Sequence, residues 1–531
     1  MAKQLNIGWG RRSINPGKPV AITGQFYLRV SQGELQPVTT EALAIDNGDD
    51  AVIFVSADVV ACGMLLPVVR EKLKTLAPDL PADKLILNAT HTHSGPSPVK
   101  GYDIPQTVEN LHGEEAADFI GGRIAEAVAE AWKNRKPGSI AYGYGFASAG
   151  LSRRVVYLDD VGKRLDVAAE RAGFSVNGHG KMYGNTDDPQ FSHFEAGTDN
   201  FINLLYTFDA AGKLSGAVVN VPCPCQTNMH TWVLHPGFWH PVREKLRAEH
   251  GDIGIVAQCA AAGDLSPSQL HQKAAELRRY KLKYPEKYAE LAAHPFPCPD
   301  GFFKDEAERK LRNDANLVDM LRAEDIGSRI AAAFDEVLEW ASKDKQSAPE
   351  LRHEVKNVAL ERRMYPEEVY RTELENYKTF MAEKWQLDGD PYAALRHNST
   401  LAARRARCKR VIDTYEHPAE NRTLETVIHA VRIGDLAFAT NRFELFMDYM
   451  HRIQARSPFV QTMIVQLTAD DTGSGTYLAT ERAVANKGYS ASPYCNLVSP
   501  TGGQQLVDST VEMLKSLSLP ADCRRRFFCD K

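Results

Sequence analysis

Apolar and polar positions along this chain of 531 residues fall into two textures. Up to about residue 265, short apolar runs alternate with helical stretches. "EALAIDNGDDAVIFVSADVV", from Glu41 to Val60, sets β-branched and aromatic residues on both sides of Asn-Gly-Asp-Asp, which predicts a two-stranded hairpin. "LPVVREKLKTL" and "HGEEAADFIGGRIAEAVAEAWKN" carry the spacing of amphipathic helices, the second with acidic residues in its first turn and Lys133 and Arg135 just past its end. "NFINLLYTFDAAGKLSGAVVNVPC" predicts another hairpin, and "IGIVAQCAAAGDLSPSQL" a buried strand that runs into a loop. Between about 268 and 425 the pattern becomes helical and densely charged, as in "AAELRRYKLKYPEKYAELAAH", and reads as a helical insertion or lid. Strands return from Val427, where "VIHAVRIGDLAFAT" places a Gly-Asp turn between two alternating runs and "FVQTMIVQL" follows. The fold class expected is therefore α/β, with mixed α and β elements: sheets flanked by helices.

Composition narrows the function. A hydrophobic fraction of 43% and a charged fraction of 25% are those of a globular protein, and a net charge of -5 disfavours a nucleic-acid partner. A small-molecule substrate is the expected partner. No apolar run reaches the roughly 18 residues of a membrane span, and "MAKQLNIGWGRRSINPG" does not read as a signal peptide, so the expected location of the chain as given is the cytoplasm. Nine cysteines at 62, 223, 225, 259, 298, 408, 495, 523 and 529 lack the spacing of a disulfide scaffold, which makes reduced thiols the default. The terminal "CRRRFFCDK" is too short to interpret.

Candidate chemistry gathers where strands end. In "LILNATHTHSGPSP", His91 and His93 are spaced to face one side of a strand that Ser94-Gly95-Pro96 stops, which suits a metal ion or one ligand beside an acid/base group. A hydrogen-bonded structural pair is equally consistent with that spacing. "QCAAAGDLSP" puts Asp264 and Ser266 in a loop after a strand, where such residues commonly bond their own backbone and where Asp264 is also a candidate substrate-binding group. Glu444 of "NRFELF" lies among apolar neighbours and needs a cation or donors, while Tyr477 and Tyr489 of "GTYLATERAVANKGYSA" follow it. "MYGNTDDPQFSHFEAGTDN" adds Asp187, Asp188, His193 and Glu195, which read as a solvated loop or as substrate-binding groups.

Taken in order, "NATHTHSGP", "AAGDLSP" and "GTYLAT…KGYSA" resemble the catalytic domain of the neutral ceramidases, zinc-dependent amidases, and "NIGWGRRSINPGKPVAITGQ" resembles that family's opening strand and turn. The resemblance runs nearly end to end. It implies one catalytic domain over residues 1–531 with a helical insertion at about 268–425 and no room for a following β-sandwich domain. It also implies that zinc is held by His91, Glu444 and Tyr477, with His93 facing substrate, Tyr489 on the scissile carbonyl, and Arg153 and Ser266 in catalytic positions.

One element departs from the family. Five residues after Asn220, where the second zinc histidine belongs, stands Cys225, and the alternatives are Cys223, His230 or His235. The polar stretch around Asp187, His193 and Glu195 also suits a more polar substrate than a membrane lipid. The reading that follows is a zinc-dependent hydrolase of a C–N amide bond in a small polar or amphiphilic substrate. Two other readings stay open: a metal-assisted enzyme acting on a carbohydrate or glycoconjugate, and a metal-free binding protein on the same fold.

Overall fold

The hairpin expected at Glu41–Val60 lies within an eight-stranded sheet of the computed structural model, which describes residues 3–98, 104–164, 172–470 and 476–519. The strands are β1 (Asn6–Ser13), β2 (Thr39–Asp46), β3 (Ala51–Ala57), β4 (Leu85–Ala89), β5 (Lys136–Phe146), β6 (Phe201–Asp209), β7 (Leu214–Val221) and β8 (Gly254–Cys259). They run in the order β8-β7-β6-β5-β1-β2-β3-β4. A second sheet holds β9 (Leu351–Glu361), β10 (Thr423–Ile433), β11 (Leu436–Thr440) and β12 (Gln461–Val465) in that order. The expected Gly-Asp turn closes β10 onto β11, with Gly434 at a positive φ of 65° that suits glycine. "CRRRFFCDK", with Cys523 and Cys529, lies outside the described residues.

The helices are α1 (Leu65–Leu76), α2 (Gly113–Lys133), α3 (Trp239–His250), α4 (Lys273–Lys283), α5 (Pro285–Ala293) and α6 (Glu306–Ala341). They continue with α7 (Glu367–Ala382), α8 (Pro391–Glu416), α9 (Met447–Gln454), α10 (Glu481–Asn486) and α11 (Pro500–Ser518). Among the described residues, no helix is long and apolar enough to cross a membrane.

Burial of alternate strand faces explains the layering. Leu43, Phe54, Ile140 and Val256 of the larger sheet meet Val431, Phe438 and Met463 of the smaller one in a shared core, with the rings of Phe54 and Phe438 4.6 Å apart. Full burial of each such side chain stabilises by about 1.5–3 kcal/mol. The opposite face of the larger sheet is covered by α1 and α2 at one end and by α3 and α6 at the other. α2 packs so closely on β1 that a Cβ on Gly8 or Gly10 would lie 2.1 Å from a helix carbonyl oxygen. The outer face of the smaller sheet is covered by α11, with α7, α8 and α9 in the same core.

The stretch expected to be a helical insertion differs at two points. β9 lies inside it, paired along its whole length with β10, because Leu351, His353, Val358 and Leu360 turn inward. The second half of α6 also belongs to the main core, where Ile326, Ile330, Phe334 and Val337 seat against the larger sheet.

Three parallel pairs decide where function can lie: β3 with β4, β7 with β8, and β11 with β12. The loops after β4, β7, β8 and β11 converge, the arrangement in which open α/β sheets place ligands.

Candidate active site

β4 ends at Ala89, two residues before His91, so strand alternation does not orient the histidine pair as expected. A turn does it. His91 holds a left-handed backbone, φ 63°, a conformation that costs a non-glycine residue about 1–2 kcal/mol and collects at functional sites. Its backbone N–H donates to the Val59 carbonyl at 3.1 Å and its Nδ1 sits 2.7 Å from the Val60 carbonyl. A carbonyl only accepts, so Nδ1 carries a hydrogen and Nε2 is the nitrogen turned toward Glu444 and His93. That Nε2 lies 3.4 Å from Nε2 of His93 and 3.4 Å from Oε2 of Glu444.

Arg153, between two short strands, knits the group together. Its backbone N–H donates to the Asp264 carbonyl at 3.1 Å. Its Nη2 donates to the Gly263 carbonyl (2.9 Å), the Tyr477 hydroxyl (3.1 Å) and Glu444 Oε2 (3.4 Å). Its Nη1 donates to Gln226 Oε1 at 2.8 Å and approaches the Tyr183 hydroxyl at 3.4 Å. Burial pushes the Glu444 carboxyl up, but His91 and Arg153 outweigh it and hold it below the usual carboxylate range. Burial drives the Tyr477 phenol well above its ordinary value. Burial, then the neighbouring charges of His91 and Arg29, drives His93 well below its own. His93 is thus a neutral imidazole. Its ring fits only because residue 24 is glycine, since a Cβ there would lie 2.5 Å from His93 Cγ.

Cys225 is placed away from this group. Its thiol donates to the Pro236 carbonyl at 3.0 Å within the apolar core under α3, and burial raises it far above the usual thiol range, keeping it protonated. The next residue enters instead: Gln226 Nε2 lies 3.1 Å from His93 Nε2. Counting from Asn220 assumed a regular path, but the backbone turns at both prolines, with Cys223 N–H bonded to the Val221 carbonyl and Gln226 N–H to that of Pro224. Those turns advance the inward-facing position by one. His230 stacks against Arg312, and His235 bonds Thr231 and the Gly237 N–H, so neither imidazole is spent on the His91 group. The Cys223 thiol faces the Ala149 carbonyl.

Tyr489 meets Tyr477 edge-on at 5.8 Å between ring centres and accepts from Arg407 Nη2 of α8 at 3.2 Å. Neither Gln226 nor Arg407 was anticipated, because a single amide and one more helical arginine carry no signal in sequence. Ser266 is fully buried and bonds the Ser268 N–H, with the Tyr183 hydroxyl 3.4 Å away. Asp264, also buried, accepts from the Met447 N–H at the start of α9, and burial lifts its carboxyl to about 6.

The remaining expected substrate-binding groups lie elsewhere. Asp187 and His193 are exposed, the latter on Ser192, and Asp188 pairs with Arg164. Glu195 is bound by the Arg154 guanidinium and by Asn486 (2.8 Å), in a buried clamp that also takes Ser490 and the Lys487 carbonyl. None of Asp187, His193 and Glu195 lines the cavity above His93.

That cavity, of about 780 Å³, has His93, Arg153, Gln226, Tyr477 and Tyr489 on its floor. Its walls come from α4 and α6, with Leu277, Leu311 and Val318 beside Lys273, Asp314 and Arg322.

Comparison with solved structures gives neutral ceramidase from Pseudomonas aeruginosa, with a TM-score of 0.62 and 16% identity over 99% of this chain and 75% of that one. The fold is ceramidase-like. A ceramidase complexed with C2 matches with a TM-score of 0.58 and 16% identity, over 97% of this chain and 75% of that chain. No protein-family model and no curated protein sequence matches the chain. At 16% identity the likeness is one of fold.

Whether the residues suit a metal is decided by their lone pairs. His91 Nε2 lies 3.4 Å from His93 Nε2 and 3.4 Å from Glu444 Oε2. Donors on a zinc ion at 2.0–2.1 Å stand about 3.3 Å apart at the edges of a tetrahedron. The Val60 carbonyl orients His91 in the way second-shell acceptors orient metal-bound histidines. His91 and Glu444 have the spacing of two zinc donors, while His93 lies too far from Glu444 to close the set as a third. Among the described residues, the cluster whose donor atoms all lie within 4.8 Å of one another is Asp413, Glu416 and His417 at the end of α8, which is largely solvent-facing, with Asp413 held by Lys409.

Proposed function

We propose that the chain is a metal-dependent hydrolase, with zinc its metal, that cleaves an amide bond in a small polar or amphiphilic substrate. The observation that carries this reading is the meeting of His91 with Glu444 at 3.4 Å, tied through Arg153 to Tyr477, beneath a cavity that His93, Arg153 and Tyr477 line. His91, Glu444 and Tyr477 hold the metal, which when bound lowers the pKa of water toward neutrality and polarises a carbonyl.

The chain's own groups do the rest. Gln226 donates its amide hydrogen to His93 Nε2, which fixes the ring with its proton on Nδ1, and yields that lone pair when the attacking water takes its place. His93, neutral throughout the physiological range, receives a proton from the attacking water and passes it to the leaving nitrogen. Arg153 keeps its charge because Tyr477, Tyr183 and Glu444 surround it, and it faces the negative charge that develops on the carbonyl oxygen. Tyr489 donates to the same oxygen, its hydroxyl polarised by Arg407. Ser266 acts through Tyr183 as a positioning residue. The apolar wall of Leu277, Leu311 and Val318 opposite Lys273 and Asp314 suits a substrate with one greasy and one polar part.

The carbohydrate reading drew on acids that do not line this cavity, so the amide reading is preferred. The test is metal analysis of protein purified with zinc, beside hydrolysis of a panel of N-acyl amides. One equivalent of zinc is expected, lost together with hydrolysis in His91→Ala and Glu444→Ala. Wild type without stoichiometric metal, or full retention in both variants, overturns the proposal. Substrate binding without metal or turnover would establish the binding-protein reading instead.

A further inference from the structure

A second cavity, of about 800 Å³, shares a loop with the first. Tyr489 lines the first, and Ala491, Ser492 and Pro493, a few residues on, line the second. Its opposite wall is built where β9 ends and β10 begins, which brings together Arg362, Arg363 and Arg422. Backbone pairing fixes this meeting, with the Arg362 N–H on the Arg422 carbonyl at 3.0 Å and the Arg363 N–H on the Leu497 carbonyl at 2.8 Å.

Among the described residues these guanidiniums are paired with no carboxylate. Arg362 donates to Asn421 Oδ1 (2.7 Å) and Thr414 Oγ1 (3.3 Å), and Arg363 to the Ala491 carbonyl (2.6 Å), all of them neutral acceptors. Arg422 has no side-chain partner among the described residues. Arg410 of α8 stands behind Arg362, bonded to the Tyr494 carbonyl at 3.3 Å, and its charge pushes against that of Arg362. Burial depresses Arg362, Arg363 and Arg410 alike, the sign of cations that have lost water without gaining an anion. Ser492, 1% exposed, leaves its Oγ without a partner. Of the carboxylates at this cavity, Glu361 accepts from Ser499 (2.6 Å), Glu368 is exposed, and Glu373 accepts from Tyr494 through Oε1 (2.5 Å) while its buried Oε2 has no partner among the described residues. Between the charges the wall is apolar, with Tyr365, Val369, Val484 and Pro493.

We propose that this cavity is a binding site for an amphiphilic organic anion, a carboxylate or phosphate monoester whose head meets Arg362, Arg363 and Arg422 and whose apolar body lies against Val369 and Val484. A cavity of this size, mostly apolar with a few convergent polar groups, is what small-ligand sites have in common. Guanidinium forks match both head groups. The bound anion rests on the loop that places Tyr489. The proposal does not depend on the reaction assigned to the first cavity.

Isothermal titration of the full chain with decanoate, octyl phosphate, inorganic phosphate and decanol tests it. Decanoate or octyl phosphate is expected to bind, and whichever binds more tightly identifies the head group. Arg363→Gln and Arg362→Gln are expected to weaken binding about tenfold or more, the loss of a charge-assisted bond. Thr372→Trp, at an exposed position of α7 on the cavity wall, blocks it without removing charge, and Leu277→Trp, which fills the first cavity, leaves it unchanged. If an arginine variant fails to fold, Thr372→Trp and Leu277→Trp still assign the site. The proposal is overturned if neither amphiphile binds at about 1 mM, if decanol binds as tightly as decanoate, if inorganic phosphate alone binds as tightly as octyl phosphate, or if Thr372→Trp binds like wild type.

Discussion

Asp264 offers the sharpest test of how the site is held together. The carboxyl is 2% exposed, accepts one hydrogen bond from the Met447 N–H, and is lifted by burial from 3.8 to about 6. A carboxyl raised by folding binds its proton more tightly in the native state than in the unfolded chain. Its contribution to stability is therefore complete below pH 3.8, declines as pH rises toward about 6, and is a fixed cost above that. At about 1.36 kcal/mol per unit the cost approaches 3 kcal/mol, which relaxation and water entry reduce to about 1–3 kcal/mol. Asp264→Asn removes the ionisation and keeps an acceptor for Met447. The variant should match wild type near pH 4 and exceed it by that amount at pH 7–8, with the difference growing between. Urea denaturation followed by tryptophan fluorescence, at steps of pH with both proteins in parallel, reads the difference directly. A difference that does not change with pH, or a variant less stable at pH 8, refutes the assignment of burial as the dominant effect.

Other expectations are shorter to state. Glu195→Ala leaves the Arg154 guanidinium buried without its carboxylate and should cost about 3–5 kcal/mol of stability; a loss below about 1 kcal/mol with an altered KM would restore Glu195 as a substrate group. Gly24→Ala forces the His93 ring aside, since the new Cβ lies 2.5 Å from Cγ at a backbone φ of 106°. Hydrolysis of the preferred amide should fall about 100-fold while the circular dichroism spectrum is kept, and unchanged turnover would remove His93 from the reaction. Gln226→His supplies a nitrogen donor beside the His91 group and should tighten zinc binding about tenfold or more in a chelator competition; an unchanged affinity would place residue 226 outside the metal's surroundings.

Much of this could be read before any coordinates. Asn47-Gly48 and Gly434-Asp435 mark their turns because the required backbone is one that few other residues tolerate. His91, Arg153, Glu444 and Tyr477, scattered over more than half the chain, do meet. What escaped were features set by three-dimensional detail. Whether Cys225 or Gln226 faces inward depends on two proline turns that shift the phase by one residue. Glu195 reads as a free loop acid until Arg154 is seen beneath it. β9 was lost among charged helices because its middle, Glu354 to Asn357, is polar enough to break the alternation.

The donor set draws His91 from the turn just past β4 of one sheet and Glu444 from the segment just past β11 of the other. Its geometry is therefore a gauge of how the two sheets sit on each other, and contacts such as Phe54 on Phe438, far from any reacting atom, act as its spacers. Trimming such a spacer need not unfold the protein to silence it, because a slip of about 1 Å between catalytic groups is worth about two orders of magnitude in rate. On warming, the chain should thus lose function before it loses shape.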